Sequence, residues 1–315
     1  MGYLDVHSSE TLLLEAHMDT VSHENMVIAP FEPTVRDGLL YGRGSCDTKA
    51  SLATYLYALS HVLQTGRRIK RNVLVVGVHD EEYSFGGSRE LVDNGIRATF
   101  AIAGEPTSLN IIYAHKGVCR FRIHTHGVSA HAALPWLGQN AIYAMADVLK
   151  QLQQHSLELL DKPHPELGPA TLNVGRITGG QAVNIVPAIC TAEIDRRLLP
   201  GESYSTAKAM IHSSLTNVPH SIEIEAPYME ALGVYNNKDD FACRTVLAAT
   251  QGAGWRAEFQ TAHYGTDASI FSRAGIPTVV FGPGSIELAH TKAEHVPISE
   301  IEKAADIIIA LLTES

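Results

Sequence analysis

The chain has few cysteines, no excess of positive charge and no long apolar run, and each lack removes a class of function. Its four cysteines, Cys46, Cys119, Cys190 and Cys243, stand far apart and make no C-x-x-C pair, which excludes a zinc ribbon and a disulfide framework. Reduced thiols follow. With 24 basic against 34 acidic residues and a formal charge of -10, the basic face or tail of a nucleic-acid-binding protein is missing, and no run of basic residues stands out. No apolar stretch approaches the roughly 20 residues that span a bilayer, and Met1 to Glu10 has no cationic segment leading into an apolar one. The expectation is a soluble, cytoplasmic protein with neither a nucleic-acid nor a membrane partner. Gly42-Arg43-Gly44 lacks the Gly-Lys-Ser/Thr that would make it a phosphate-binding loop.

What is present is ample material for a core. An apolar content of 45% over 315 residues predicts a large core, divided between two compact units or held in one large domain. Apolar, β-branched runs alternate with helical patterns, the sequence form of a mostly parallel sheet flanked by helices in an α/β protein. Thr11 to Ala16, Asn72 to Val78, Thr99 to Ala103 and Pro277 to Phe281 read as buried strands. Leu52, Tyr55, Leu56, Leu59, Val62 and Leu63 recur at helical spacing and stop at Gly66, and Ile298 to Leu312 repeats the pattern.

The middle of the chain reads differently. Strand Val118 to His124, helix Gln139 to Gln154, strands Thr171 to Ile177 and Cys190 to Leu198, helix Ser203 to Ser214 and strand Ser221 to Ala226 give a β-α-β-β-α-β order. That is a ferredoxin-like α+β domain inserted into the larger unit. The expected division is residues 1–115 and 228–315 for the catalytic domain and 116–227 for the insert.

In open α/β sheets ligands bind beyond the carboxyl ends of the strands, so polar residues standing there are candidates for a site. The first run ends in His17-Met18-Asp19, the second leads to Asp80-Glu81-Glu82, the third to Gly104-Glu105, and the fourth through Gly282-Pro283-Gly284 to His290. Asp47 stands just ahead of the first long helix. Each has a plainer reading. Asp47 is a good helix cap, His17 could be a hydrogen-bonded histidine at a strand end, and Glu81 with Glu82 could be an exposed acidic loop. Sixteen histidines decide nothing by number; position does.

The blocks HMDT (His17 to Thr20), GRGSCDTK (Gly42 to Lys49), DEEYSFGG (Asp80 to Gly87), GEPT (Gly104 to Thr107), GVSAHAALPWLGQNAI (Gly127 to Ile142), NIVP (Asn184 to Pro187), DRRLLPGE (Asp195 to Glu202) and GPGSIELAHTKAE (Gly282 to Glu294) occur in order. Together, over nearly the whole chain, they resemble the co-catalytic zinc metallopeptidase family of acetylornithine deacetylase, succinyl-diaminopimelate desuccinylase, aminoacylase and glutamate carboxypeptidase. The resemblance implies a zinc-peptidase-like catalytic domain with a lid that also dimerises, and two zinc ions per chain, replaceable by cobalt or manganese. It places His17, Asp47 and Glu105 on one ion and Asp47, Glu82 and His290 on the other. It makes Glu81 the general base, Asp19 the residue that orients the His17 ring, and His131 an oxyanion-stabilising group reaching from the lid, commonly from the partner subunit. A core histidine is the competing reading of His131. Asn184 and Arg197 match binders of the substrate carboxylate, with Arg196 as the alternative to its neighbour.

The function this implies is hydrolysis of the amide of an N-acyl amino acid. A dipeptidase or glutamate-type carboxypeptidase is the alternative, and a non-catalytic binding relative a remote third. Relatives carry a further helix and strand ahead of the His17-bearing strand, so either this chain is a shortened one or the sheet manages with one edge uncovered.

Overall fold

The computed structural model describes residues 1–313. They form two compact units, one made of Met1–Ala114, Val234–Ala262 and the chain from Thr266 onward, the other of His115–Gly233 with His263–Gly265.

The first unit is built on an eight-stranded sheet. Its strands run in the order Gly2–Leu4, Asn72–Val78, Thr11–His17, Phe100–Ala103, Thr278–Val280, Ile111–His115 and Val234–Tyr235, with Phe259–Ala262 also pairing on Ile111–His115. The four consecutive strands from Asn72–Val78 to Thr278–Val280 are parallel. Both faces are covered, which is why these strands read as unbroken apolar runs. Leu12, Leu13 and Leu14 are all fully buried although successive side chains point to opposite faces. Leu13 joins Leu74, Val76, Val78, Ala101, Phe271 and Ile276 in the core on one side.

Helix Lys49–Thr65 packs on strands Thr11–His17 and Asn72–Val78 and beside the final helix Ile298–Leu312. The stripe it buries is Ala50, Ser51, Thr54, Tyr55, Ala58 and Val62, while Leu56 and Leu63 of the expected stripe are exposed. Small residues let the helix lie close to the strands, a constraint that an apolar periodicity does not record. The helix stops at Gly66, whose φ of 68° closes it with a left-handed residue.

On the side where an uncovered edge is one of the two expectations, Gly2–Leu4 runs antiparallel along Asn72–Val78, Tyr3 opposite Leu74. A second difference concerns charge. Arg67-Arg68-Ile69-Lys70-Arg71, just ahead of that strand, is a basic run of the kind the sequence reading did not find.

The second unit is an antiparallel sheet in the order Ser221–Ile224, Gly117–His126, Ile189–Leu198, Thr171–Gly179, with Met229–Ala231 also pairing on Gly117–His126. Helices Ala141–Leu160 and Tyr204–Ser214 cover one face, where Cys119, Phe121, Ile123, Ala192 and Ile194 meet Met145, Val148, Leu152 and Ile211. The longer helix outruns its expected end at Gln154 because Leu152, His155 and Leu159 keep the buried stripe going. The other face carries Arg120, Arg122, His124 and His126, tied across strands by Arg120 to Asp195 at 2.9 Å and His124 to Glu225 at 2.8 Å.

Candidate active site

Five side chains meet at the carboxyl end of the parallel strands. His17 is the last residue of its strand and is buried. Its Nε2 lies 2.9 Å from Oδ1 of Asp47, whose Oδ2 lies 3.0 Å from Nε2 of His290. The same His290 nitrogen lies 3.1 Å from Oε1 of Glu82. His17, Asp47 and Glu105 can each offer one ligand atom within 4.8 Å of the others, and so can Asp47, Glu82 and His290. Asp47 belongs to both groups. It is not the cap of its helix; Thr48 stands at that position and neither makes a side-chain cap bond.

Local structure explains how the groups are presented. Gly104 lets the Glu105 turn approach the helix Lys49–Thr65, since a Cβ there would stand 2.7 Å from Ser51 Cβ and from Tyr55 Oη. The Glu81-Glu82 turn is held by Asp19, whose carboxylate accepts the backbone N–H of Glu81 at 3.3 Å and of Glu82 at 3.2 Å. The ring of His17 is fixed from the same residue by another atom. Its Nδ1 lies 3.0 Å from the backbone oxygen of Asp19, while the carboxylate stands at 3.6 Å, beyond hydrogen-bond reach. His290 has φ of 60°, the left-handed region that costs a non-glycine residue energy and persists only where neighbours impose it.

Electrostatics show what is missing from the protein's own atoms. Burial, then Glu105 and Asp267, push the Glu81 carboxyl well above the usual carboxylate range, and burial with Asp47 does the same to Glu105. Glu15, two residues before His17, is raised by burial and by Asp267, which burial itself raises to about 6. Asp47 goes the other way: burial opposes its charge, but His17 and His290 hold it low. Asp47 and Glu82 in turn raise His290 to about 10. This is a crowd of buried acids with too little positive charge, the condition that divalent cations relieve. Imidazole and carboxylate in two groups of three, sharing one carboxylate, is a donor set that fits a pair of zinc ions with open positions.

Cys46, beside the shared carboxylate, takes no part. Its Sγ points to the carbonyl of Ser285 at 3.4 Å, it is fully buried, and burial pushes its thiol pKa up.

The remaining residues singled out from sequence lie in the second unit. His131 is exposed, which removes the core-histidine reading; its Nδ1 accepts the N–H of Ala133 at 3.1 Å, and its backbone bridges to Ile185. Asn184, also exposed, accepts the N–H of Ala132 on its carbonyl at 3.0 Å. Arg196 is fully buried and pairs with Glu202 at 3.0 Å, whereas the half-buried Arg197 lies on the other face with Nε 2.8 Å from Asp195. Of the two, Arg197 is the more accessible. Three polar residues here are not candidates from the sequence: Glu15, Asp267 and Ser88, whose hydroxyl donates to Asp267. The one available signal was a glutamate inside the apolar run Thr11 to Ala16.

Comparison with known proteins gives a consistent result. The sequence profile of Peptidase family M20/M25/M40 matches residues 13–314. An acetylornithine deacetylase of Myxococcus xanthus is 32% identical over 304 residues, 94% of this chain and 78% of that protein. An acetylornithine deacetylase of Proteus mirabilis (strain HI4320) is 33% identical over 311 residues, 96% and 78% of the two chains. Among solved structures, an M20 family metallo-carboxypeptidase from Sulfolobus solfataricus superposes with a TM-score of 0.79 at 18% identity, covering 98% of this chain and 86% of its own, a likeness of fold.

Proposed function

The chain belongs to peptidase family M20/M25/M40 and is a metal-dependent hydrolase of carbon–nitrogen bonds, and from that premise we propose that its substrate is an N-acyl amino acid of the acetylornithine type. The pair of three-residue groups sharing Asp47, with Glu81 buried beside them, carries the hydrolase part of the reading, and the two acetylornithine deacetylase relatives support the substrate class.

His17, Asp47 and Glu105 would hold one zinc ion and Asp47, Glu82 and His290 the other, with cobalt or manganese able to stand in. When bound, the ions supply Lewis acidity toward the scissile carbonyl and make water acidic enough to lose a proton near neutral pH. Glu81 would be the base that takes a proton from the attacking water and the acid that delivers it to the leaving amine. Its burial suits the task, because a carboxylate shielded from bulk water is a stronger base than an exposed one. Asp19 fixes the Glu81-Glu82 turn through two amides and the His17 ring through its carbonyl. Orienting groups of this kind set ligand geometry as much as the ligands do.

In the second unit, His131 would donate to the developing oxyanion and Asn184 and Arg197 would bind the substrate carboxylate. A guanidinium fork suits that carboxylate. A homodimer through the inserted domain, with His131 acting across it, is supported by apolar side chains left bare on that unit, Trp136 at 74%, Tyr143 at 73% and Val183 at 103% exposure, and by the edge strand Thr171–Gly179. The cytoplasm is the proposed compartment, supported by four unpaired buried cysteines. Among the described residues no helix is long and apolar enough to cross a membrane.

The test is a substrate panel on the zinc-loaded protein: N-acetyl and N-succinyl amino acids, ornithine and diaminopimelate derivatives included, against dipeptides. We expect kcat/KM for the best N-acyl amino acid to exceed that for any dipeptide by about 100-fold, a margin on the order of 3 kcal/mol of transition-state binding. A dipeptide hydrolysed faster than every N-acyl amino acid would move the assignment to a dipeptidase on the same scaffold.

A further inference from the structure

Away from the ligands themselves, the first unit contains a fully buried carboxylate that faces no solvent and is no member of either ligand group. Glu294 has zero exposure, and each of its oxygens takes two donors. Oε1 accepts the backbone N–H of Cys46 at 2.9 Å and of Asp47 at 3.0 Å; Oε2 accepts the N–H of Gly44 at 3.0 Å and Nη1 of Arg43 at 2.7 Å. Four donors on two oxygens use the carboxylate's acceptor sites fully. The loop that presents Asp47 is therefore wrapped around Glu294, with three of its amides satisfied by one side chain.

Arg43 carries the link further. Its Nη2 lies 3.1 Å from the carbonyl oxygen of Ser22, on the loop that follows His17 and Asp19, and 3.4 Å from that of Thr291, the neighbour of His290. The backbone N–H of Gly42 also reaches the carbonyl of Glu294 at 3.2 Å, beside the small sheet that pairs Leu39–Tyr41 with His295–Pro297. One buried ion pair thus joins the segments that carry His17, Asp47 and His290. It also sits four residues past the left-handed His290, where the chain needs an outside constraint to keep that conformation.

We propose that Arg43 and Glu294 are positioning residues: a clamp that sets the spacing between the two ligand groups by fixing the Asp47 loop against the His17 and His290 segments. The proposal rests on reading those groups as a two-metal centre. An ordinary buried ion pair would support the fold as a whole. A clamp acts on the separation of ligands, and its loss must appear in metal affinity and in the electronic spectrum of the bound ion while the fold persists.

Glu294→Gln keeps the shape but turns an amide NH2 toward two donors. Arg43→Lys keeps the charge opposite Glu294 but cannot reach Ser22 and Thr291 together, and it decides the matter if Glu294→Gln does not fold. The experiment measures zinc affinity by chelator competition and the visible absorption of the cobalt(II) form, with thermal unfolding of the metal-free proteins as the control for folding. Wild type should bind two equivalents. Each folded variant should bind at least one of them tenfold or more weakly and show an altered cobalt spectrum. Two equivalents bound with wild-type affinity and a wild-type spectrum in the folded variants would overturn the clamp. A wild-type protein that binds no metal would instead overturn the two-metal reading, and the clamp with it.

Discussion

Nε2 of His17 stands 2.9 Å from Oδ1 of Asp47, so the shared carboxylate spends one oxygen on the first histidine and has the other free for the second, 3.0 Å away on His290. Removing that carboxylate strikes both ligand groups. We expect Asp47→Ala to lose both metal equivalents together and to lower kcat/KM by about a thousandfold or more, while His290→Ala keeps the ion held by His17 and Glu105. Elemental analysis after dialysis reads the difference. One ion retained in Asp47→Ala would mean that the carboxylate is not shared.

Glu81→Gln should bind metal as the wild type does and lose turnover. The substitution leaves all five ligand side chains in place and removes only the group that carries the proton, worth roughly 10²- to 10⁴-fold. A kcat within a factor of about three of the wild type's would assign the proton transfer elsewhere.

Asp19→Ala should weaken metal binding by about 10- to 100-fold, the usual effect of losing a group behind the ligands. Its carboxylate supports the turn bearing Glu82 through two amides, so the ion held by Glu82 and His290 should be the more affected. Sequential zinc titration distinguishes the two ions, and a larger loss at the ion held by His17 and Glu105 would contradict that placement.

Arg197 and Arg196 should separate cleanly. Arg197→Ala is expected to raise KM about 10- to 100-fold for substrates with a free α-carboxylate, the worth of a charge-assisted hydrogen bond, with less effect on their carboxamide analogues. Arg196→Ala should instead lower the unfolding temperature, because it leaves Glu202 without its buried partner. Matching kinetic defects in both would contradict their placement on opposite faces.

His115 gives a pH test remote from the ligands. It is fully buried, and desolvation holds its imidazole down to about 4, against an ordinary value near 6.5. Below about pH 6.5 the unfolded chain takes up a proton that the folded one refuses until about pH 4. The stability this confers is whole above pH 6.5 and drains away as pH falls toward 4, up to about 3 kcal/mol in total. Replacing His115 with Gln removes the dependence, so the unfolding free energy of the wild type should fall relative to the variant's as pH drops from 7.5 to 4.5. A difference constant across that window would show that His115 is not held neutral.

The parts of this structure legible in the sequence are those governed by near neighbours. Thr11–His17 and Asn72–Val78 announce themselves because burial on both faces needs an unbroken apolar run, and His17, Glu82 and Glu105 are legible because they sit where such runs end. Helix Ile298–Leu312 falls on its expected bounds for the same reason: its stripe is continuous. Strands such as Ile111–His115 and Val234–Tyr235, by contrast, are defined by partners far along the chain. Arg43 and Glu294 both fall inside blocks that marked the family, yet nothing local indicates that they pair, since what fixes them is a contact between segments some 250 residues apart. Glu15 and Asp267 are hidden for the same reason: a buried acid is interpretable only once its neighbours are known.

The direction in which Cys46 points has a bearing on how the protein tolerates its surroundings. Sulfur lies next to the shared carboxylate in the chain but offers the centre only a carbonyl-bound, protonated thiol that solvent cannot reach. Soft ions such as copper(I) or mercury therefore find no thiolate foothold at the catalytic pocket, and peroxide finds no thiol there to oxidise. Handling in air without added reductant should leave the centre's chemistry intact, and exchange among borderline and hard ions is the route by which its composition can change.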